Sequence, residues 1–536
     1  KQSLSDLGHE FYEHSDTEVL LHTYQQWGAS CVERLRGMFA FAIWDSAAER
    51  LFIARDHYGK KPLFYLQRGE TLYFASEIKA LLQIPGLNLS FNQSQLRNYC
   101  VYRYVPSPAT WFEQIKKLPA GHSMTWEKGD IRFRRYFSPA KFPPIPKQLS
   151  PQDAVKKFWG LLDEAVKLRM AADVPFGAFL SGGIDSSAIV ALMSEHSEQP
   201  VNTFSIGFNE SEYSELAYAD AIAKQFNTKH HELTVSQDDL MALLPDVIRF
   251  RDAPVCEPSD IPIFLLAQQA RKSVKMVLTG EGSDEILGGY PKHAFERLVS
   301  YYHLVPGLLR HGVLESLINF LPYRFHRAKT AIRNMNIEDF AERMPGWFGG
   351  LSFSDANALV AEPDQSTLPE LEVCGRNGQL DNILLFDQLS WLPDNLLERG
   401  DRMTMAASIE ARMPFMDVKL AEFVASLPRN YLVRGRTSKW ILREAMKKVL
   451  PAEILERPKV GFRVPVNVWF RTTMKDYVRE HLCGSASVTR RFYHTRFLDD
   501  IIAQHISGRQ NHEKVLWMLL NLEIWFRQNS GRFDIP

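Results

Sequence analysis

The stretch VPFGAFLSGGIDSSAIVALM, Val174 to Met193, constrains the fold more than any other part of the chain. A short apolar run breaks into Ser-Gly-Gly-Ile-Asp-Ser-Ser and resumes as an apolar-periodic helix. The runs VNTFSIGF and VKMVLTG repeat the apolar strand pattern, with helical sequence between them. This alternation predicts a parallel sheet covered on both faces. Ligands of such sheets sit at the carboxyl ends of the strands. A loop there that opens a helix offers free amides and the positive end of the helix dipole. The glycines permit close approach, and the hydroxyls of Ser181, Ser186 and Ser187 add donors, so the loop reads as an anion site suited to phosphate. Asp185 opposes an anion unless a cation such as Mg²⁺ bridges the two. The loop is neither a Walker A sequence nor G-x-G-x-x-G. A glycine turn with a serine N-cap accounts for the same residues without any ligand.

A second junction, VLTGEGSDEILGGY, also ends a strand and presents Glu281, Asp284 and Glu285 among four glycines. It reads either as a solvated acidic turn or as a second Mg²⁺ contact with acid–base capacity. The backbone of TFSIGF is placed to pair with the edge of a purine.

Before this region the texture differs. GMFAFAIWD, RLFIARD, KPLFYLQ and TLYFASE read as β-strands. SPAKFPPIPKQLSPQ, with five prolines, reads as a linker. The expected domains are residues 1–137, a linker at 138–152, and residues 153–536. Residues 153–171 carry a helical stripe of Phe158, Leu161, Leu162, Ala165 and Leu168, and from about Tyr290 the chain reads as mostly helical. The 63 basic and 63 acidic residues balance, which argues against nucleic-acid and membrane partners. No apolar run reaches the roughly 18 residues of a membrane span, and VLWMLLNLEIWF reads as a buried helix. Five widely spaced cysteines with no C-x-x-C and no recognisable signal peptide point to a reducing, cytoplasmic setting.

S-G-G-x-D-S resembles the pyrophosphate loop of the PP-loop ATP pyrophosphatases. With GEGSDE, LPDNLLERGDRMTMAASIEARMPFMD, SKWILREAMKKVLPAEILERPKVGFRVPVNVW and, earlier, SDTEVLL, RLRGMFAFAIWD and ARDHYGKKPLFY, the chain resembles the glutamine-dependent asparagine synthetase family over nearly its whole length. The resemblance implies an α/β and α+β protein. Its first domain would be an Ntn-hydrolase-type glutaminase sandwich, and its second a PP-loop α/β domain with a helical extension. It implies ATP-dependent activation of a carboxylate as an acyl-adenylate, then attack by ammonia. Leu180, Ser181, Gly182, Gly183, Asp185, Ser186, Ile206, Thr279 and Gly280 would hold ATP. Asp185 and Asp284 would bind Mg²⁺. Glu281 matches a position tied to adenylate formation, and Lys459 one near the phosphates and the acyl centre. Asp16 would hold the α-amino group of glutamine, although Asp in SDTE is also a helix N-cap element.

The family hydrolyses glutamine with an N-terminal cysteine, but this sequence opens on Lys1, and Cys31 does not match that position. No R-G-P or N-G-E motif precedes SDTEV. The expectation is an incomplete glutaminase domain whose first strands are missing, and a polypeptide that uses free ammonia rather than glutamine. The expected partners are small molecules: ATP, a carboxylate acceptor, and glutamine or ammonia. A homodimer is left open. Aspartate is the first candidate acceptor. RPKVGFRVPVNVW departs from the K-E-Q-F form of asparagine-forming enzymes, so a sugar uronate, a peptidoglycan precursor or an internal amide closure is the alternative. A non-catalytic relative is disfavoured by the intact carboxylates.

Other residues read more simply. CEPSDIPIF borders the acceptor pocket or is a Pro-rich turn. Arg402 and Arg412 are candidates for the acceptor carboxylate. Met403 and Met405 read as core, and Lys60–Pro62 as a hairpin turn. Adjacent His230 and His231 lie on opposite strand faces and share no metal.

Overall fold

A computed structural model describes residues 1–536 except 14, 143–148, 315–316, 319–325, 363–377, 459–460 and 534–536. The linker expected at 138–152 therefore lies partly outside the described residues. Its last two residues already belong to the helix Pro151–Met170, which Ser150 caps by accepting from Asp153 N–H.

Among the described residues the first half contains seven strands: β1 (Ala40–Asp45), β2 (Arg50–Arg55), β3 (Phe64–Arg68), β4 (Thr71–Ala75), β5 (Lys116–Lys117), β6 (His122–Glu127) and β7 (Asp130–Arg135). They make two antiparallel sheets, β1-β2-β6-β7 and β4-β3-β5. Alternation along β2 and β6 sends Ile53 and Met124 toward the second sheet, where they pack with Leu63, Leu118 and Tyr65. Phe52 and Ala54 face the opposite way and bury Cys31 and Val32. The segment Lys60–Pro62 is not a hairpin turn, because β2 and β3 pair with other strands. It crosses from one sheet to the other, and Lys60 is buried there.

Among the described residues the second half is built on five parallel strands: β8 (Phe176–Phe179), β9 (Asn202–Phe208), β10 (Lys229–Val235), β11 (Met276–Leu278) and β12 (Glu410–Arg412). Their order is β10-β9-β8-β11-β12. The inner three are the apolar runs read from sequence. The two edge strands, KHHELTV and EAR, are polar and escape a search for apolar runs. On β10, His230 Nδ1 bonds Thr203 Oγ1 and His231 stacks on Phe204. The chain winds outward from β8 to β10 on one side and from β11 to β12 on the other. The topological switch point therefore falls between β8 and β11, where open α/β sheets bind ligands.

Helices cover the sheet. In Pro151–Met170 the buried stripe is Ala154, Phe158, Leu162, Ala165, Val166 and Arg169. Leu168, expected on that face, is 48% exposed because the stripe drifts with the 3.6-residue turn. Every residue from Val515 to Phe526 is buried within the helix Glu513–Gln528. Among the described residues no helix is long and apolar enough to cross a membrane.

Charged side chains join the two halves. Arg36 grips Asp417 with Nε and Nη2, both at 2.8 Å, and Arg169 adds a contact to the same carboxylate at 3.1 Å. Lys61 reaches Asp401 at 2.7 Å, and Lys117 reaches Glu398 at 2.6 Å.

Candidate active site

β8 ends at Phe179 and the loop turns immediately into the helix Ile184–His196. Gly182 adopts φ +67°, and a Cβ there would lie 2.5 Å from Tyr218 Cβ. No other residue fits that turn without strain. Ser181 N–H donates to Ser186 Oγ (3.2 Å), and Gly183 N–H donates to Ser181 Oγ (3.3 Å). Arg457 braces the loop by donating to Gly182 O at 3.3 Å while stacking on Tyr218.

The loop after β11 runs beside it. A Cβ on Gly280 would meet Asp185 Cβ at 2.9 Å, so the two junctions touch only because residue 280 lacks a side chain. Ser283 Oγ donates to Asp185 Oδ1 at 2.7 Å. Lys439 closes the pair of junctions. Its Nζ donates to both oxygens of Asp185 at 2.7 and 2.6 Å and stands 2.6 Å from Asp284 Oδ1. Lys439 is 1% exposed and sits at φ +52°. Gly289 leaves room for it, since a Cβ there would fall 1.8 Å from Asp284 Oδ1 and 2.1 Å from Lys439 Cε.

Beside the two loops lies a cavity of ≈ 1590 Å³, which Gly182, Gly183 and Lys439 do not themselves line. Leu180, Ser181, Asp185, Ser186 and Ile206 line it, as do Thr279, Gly280, Glu281 and Asp284. Thr279 Oγ1 and Glu281 Oε2 are buried and have no hydrogen-bond partner among the described residues. Burial raises the Glu281 carboxyl above its ordinary value, opposed by Arg399, whose Nη2 lies 3.7 Å away. Arg399 in turn faces Asp260 at 3.9 Å, and Arg251 faces Asp260 at 3.6 Å. Arg251 continues to Glu398 at 3.5 Å, and Glu398 to Lys117. A file of buried charges thus leads from β5 to Glu281. Burial pushes Asp260 up to about 7. Burial and the neighbouring Asp284 push Glu285 up to about 7 as well, and Tyr290 OH bonds it.

The far end of the cavity is aromatic and basic. Phe348 stacks on Trp391 at 4.1 Å, Lys292 Nζ lies 3.8 Å over the Phe348 ring, and Lys514 lines the wall. Glu257, Pro258, Ser259 and Ile263 of the CEPSDIPIF stretch border the same space.

Several expected residues lie elsewhere. Arg402 is buried against Glu77 and Asp252, and Arg412 is tied to Glu410 and to the carbonyls of Arg169 and Ala171. Neither lines the cavity. Met403 is core, but Met405 is 46% exposed, because consecutive helical positions two apart face different sides. Asp16 is exposed in the first helical turn, and Ser15 rather than Asp16 is the N-cap. Lys459 lies outside the described residues. Cys31, Cys100 and Cys256 are buried, with thiols pushed up to about 11, 12 and 12. Cys483 is pushed up to about 11. None of these four has the lowered pKa of a reactive thiol.

Sequence reasoning missed Lys439, Arg399 and Asp260. A lysine in SKWILR and an arginine in LLERGD carry no local signal. Their roles come from contacts across 254 and 118 residues of chain, the latter counted from 281 to 399.

A phosphate-type loop and paired carboxylates thus stand at the switch point of a parallel sheet, in a chain that begins with an antiparallel two-sheet domain. Comparison with known proteins gives the class. Residues 157–527 match the family model for asparagine synthase, and residues 1–137 match that for the glutamine amidotransferase domain. The chain is 30% identical to asparagine synthetase [glutamine-hydrolyzing] 1 of Bacillus subtilis, covering 100% of this chain and 84% of that protein. It is 32% identical to a putative asparagine synthetase of Mycobacterium bovis, covering 95% and 79%. A solved glutamine-dependent NAD+ synthetase from Acinetobacter baumannii aligns at 11% identity over 63% of this chain and 86% of that one, with a TM-score of 0.21, too low to carry an argument. The chain belongs to the asparagine synthetase family, the glutamine-hydrolysing carbon–nitrogen ligases that amidate a carboxylate at the expense of ATP.

Proposed function

We propose that the cavity adenylates a carboxylate and passes it to ammonia, with aspartate as the first candidate acceptor and asparagine as its product. The observation that carries this reading is the convergence of Asp185 and Asp284 on one buried ammonium, Lys439 Nζ, between the two loops at the switch point. The amides and hydroxyls of the 181–186 loop bind the β- and γ-phosphates. Thr279 and Gly280 border the nucleotide, and Ile206 flanks the base. Lys459, by the family resemblance, offsets charge that builds as the acceptor oxygen attacks the α-phosphorus, while buried Lys439 holds the two acids in place. Glu281, held ionised by Arg399 against the upward pull of burial, would take a proton from the attacking ammonia.

Mg²⁺ suits the pair Asp185 and Asp284. The donors are hard carboxylate oxygens, and no cluster of three or more His, Cys, Asp or Glu able to hold a metal occurs among the described residues. An ion that binds through one or two carboxylates and completes its shell with phosphate and water fits that arrangement. When bound it supplies charge neutralisation on the phosphates. Asp16 remains the candidate for holding glutamine, and none of the four described cysteines is proposed to hydrolyse it.

A second reading keeps the chemistry and enlarges the acceptor to a sugar acid or a peptide. The cavity extends past the residues assigned to ATP to Lys292, Phe348 and Lys514, which favours it. Its aromatic and basic far end supplies a wall for a larger body. Pyrophosphate release is the test, with ATP, Mg²⁺, ammonium and a panel of carboxylates. Aspartate-dependent release supports the first reading, and release only with larger acids supports the second. No release with any acceptor would remove both.

A further inference from the structure

Asp260 has no exposed surface, yet neither of its oxygens accepts a hydrogen bond among the described residues. A buried carboxylate without hydrogen bonds is costly unless cations offset it. Two cations do so. Arg251 Nε stands 3.6 Å from one oxygen and Arg399 Nε 3.9 Å from the other. Both separations are too long for hydrogen bonds, so the contacts are purely electrostatic. Asp260 opens the helix Asp260–Ala270, which packs against the helix Glu398–Ala406 that carries Arg399. Glu281, Arg399 and Gly400 line the cavity, and Asp260 does not.

Arg399 stands between two acids. Its Nη2 is 3.7 Å from Glu281 Oε1 at the cavity wall, and its Nε faces Asp260 behind the wall. Gly400 seats Glu281 against the same helix, since a Cβ there would fall 2.5 Å from Glu281 Oε2. Arg399 Nη1 donates to Ser259 Oγ at 3.1 Å, which fixes the guanidinium. The charged groups facing Asp260 are Arg251, Arg399, Glu257 and Glu281, and Arg399 is the one facing Glu281. Arg251 also serves Glu398 at 3.5 Å, and Glu257 is engaged by Arg103 at 3.0 Å. The charge of Arg399 is thus divided between Glu281 and Asp260.

We propose that Asp260 is a positioning residue that sets the proton affinity of Glu281 through Arg399. This rests on the reading of Glu281 as the group that takes a proton from ammonia. A carboxylate facing a whole guanidinium charge is a poor base. Asp260 draws off part of that charge, so Glu281 stays ionised and still accepts a proton. Burial pushes Asp260 up to about 7. As pH falls through that value, Asp260 protonates and returns the charge of Arg399 to Glu281. Amide formation should therefore decline on the acid side of about pH 7.

Amide formation and pyrophosphate release by the full chain, followed between about pH 5 and 9, test this. The reactants are ATP, Mg²⁺, ammonium and either aspartate or glucuronate, with rates referred to free ammonia. Asp260→Asn keeps the shape and removes the charge. Its acid limb should move to lower pH by about one unit, and its kcat on the alkaline side should fall about tenfold. Asp260→Ser carries the same prediction should the first variant fail to fold. Asp260→Glu, which retains the charge, should recover most of the rate. Arg399→Gln should move the limb to higher pH, because Glu281 is then buried without its cation. A residue that only supports the fold would not move the two limbs in opposite directions. Limbs that stay in place, or that move the same way in both variants, overturn the proposal and leave adenylation standing. No pyrophosphate from the wild type with either acceptor removes the reading on which it rests, and the proposal with it.

Discussion

Replacing Lys439 by Met separates the electrostatic role of this residue from its shape. Met has nearly the same length and leaves the left-handed φ of residue 439 in place, so backbone strain is common to both proteins. The ammonium removed holds Asp185 at 2.6 and 2.7 Å and Asp284 at 2.6 Å, and those side chains are only 12% and 11% exposed. Stripping one partner from a buried ion pair costs about 3–5 kcal/mol. Residual exposure of the two acids puts the loss near the lower end, about 3 kcal/mol. In EDTA the variant should therefore unfold at a clearly lower urea concentration than the wild type. Mg²⁺ should raise its midpoint by more than it raises the wild type's, because a cation then returns between the two acids. Adding Asp284→Asn should recover part of the loss in EDTA by removing one of the stranded charges. Pyrophosphate release should fall by at least about a hundredfold. Equal midpoints in EDTA for wild type and variant, with unchanged pyrophosphate release, would refute the assignment of Lys439 as the shared counter-ion.

Gly289→Ala should fold normally yet lose about a hundredfold or more in pyrophosphate release, since its methyl must displace Asp284 or Lys439 and misplacement by 1 Å costs about that much. Native circular dichroism with full activity would contradict this. Asp417→Asn should cost about 3–5 kcal/mol, because it strands Arg169 as well as releasing Arg36, and limited proteolysis should then cut between the two halves sooner. Acid should destabilise the protein as pH falls from 6.5 to about 4. Burial lowers His57 and His505 to about 4, so the unfolded chain takes up protons in that window while the folded chain does not. The stability contributed is whole above pH 6.5 and drains away as pH falls toward 4. The urea midpoint of His505→Gln should show a shallower decline over that range, and an identical slope would contradict the assignment.

What could be read before the coordinates follows from the range of the forces involved. The inner strands β8, β9 and β11 are largely buried, and their Val, Ile, Leu and Phe residues mark that burial locally. The loop after β8 is legible for the same reason, because its glycines answer to local backbone geometry. The edge strands β10 and β12 carry polar residues on one exposed side and leave no such mark. Long-range pairs leave none either. Lys439 meets Asp185 across 254 residues of chain, a contact that exists only in the folded sheet with its covering helices. The buried file from Lys117 to Glu281 likewise needs both halves in place. Arg402 and Arg412 misled because an arginine near a site looks the same whether it faces a ligand or an internal acid. Lys60 misled because a lysine followed by lysine and proline looks like a surface turn, while Asp56 and Met416 O in fact receive it in the interior.

Attack of an acceptor carboxylate on the α-phosphorus of ATP leaves an isotopic record. It is read with acceptor labelled with ¹⁸O in its carboxylate, in a reaction with ATP, Mg²⁺ and ammonium. One labelled oxygen should appear in the phosphate of AMP, with unlabelled pyrophosphate, and the label should require Asp185 and Asp284. Label in inorganic phosphate together with formation of ADP would mean attack at the γ-phosphorus and would contradict the account.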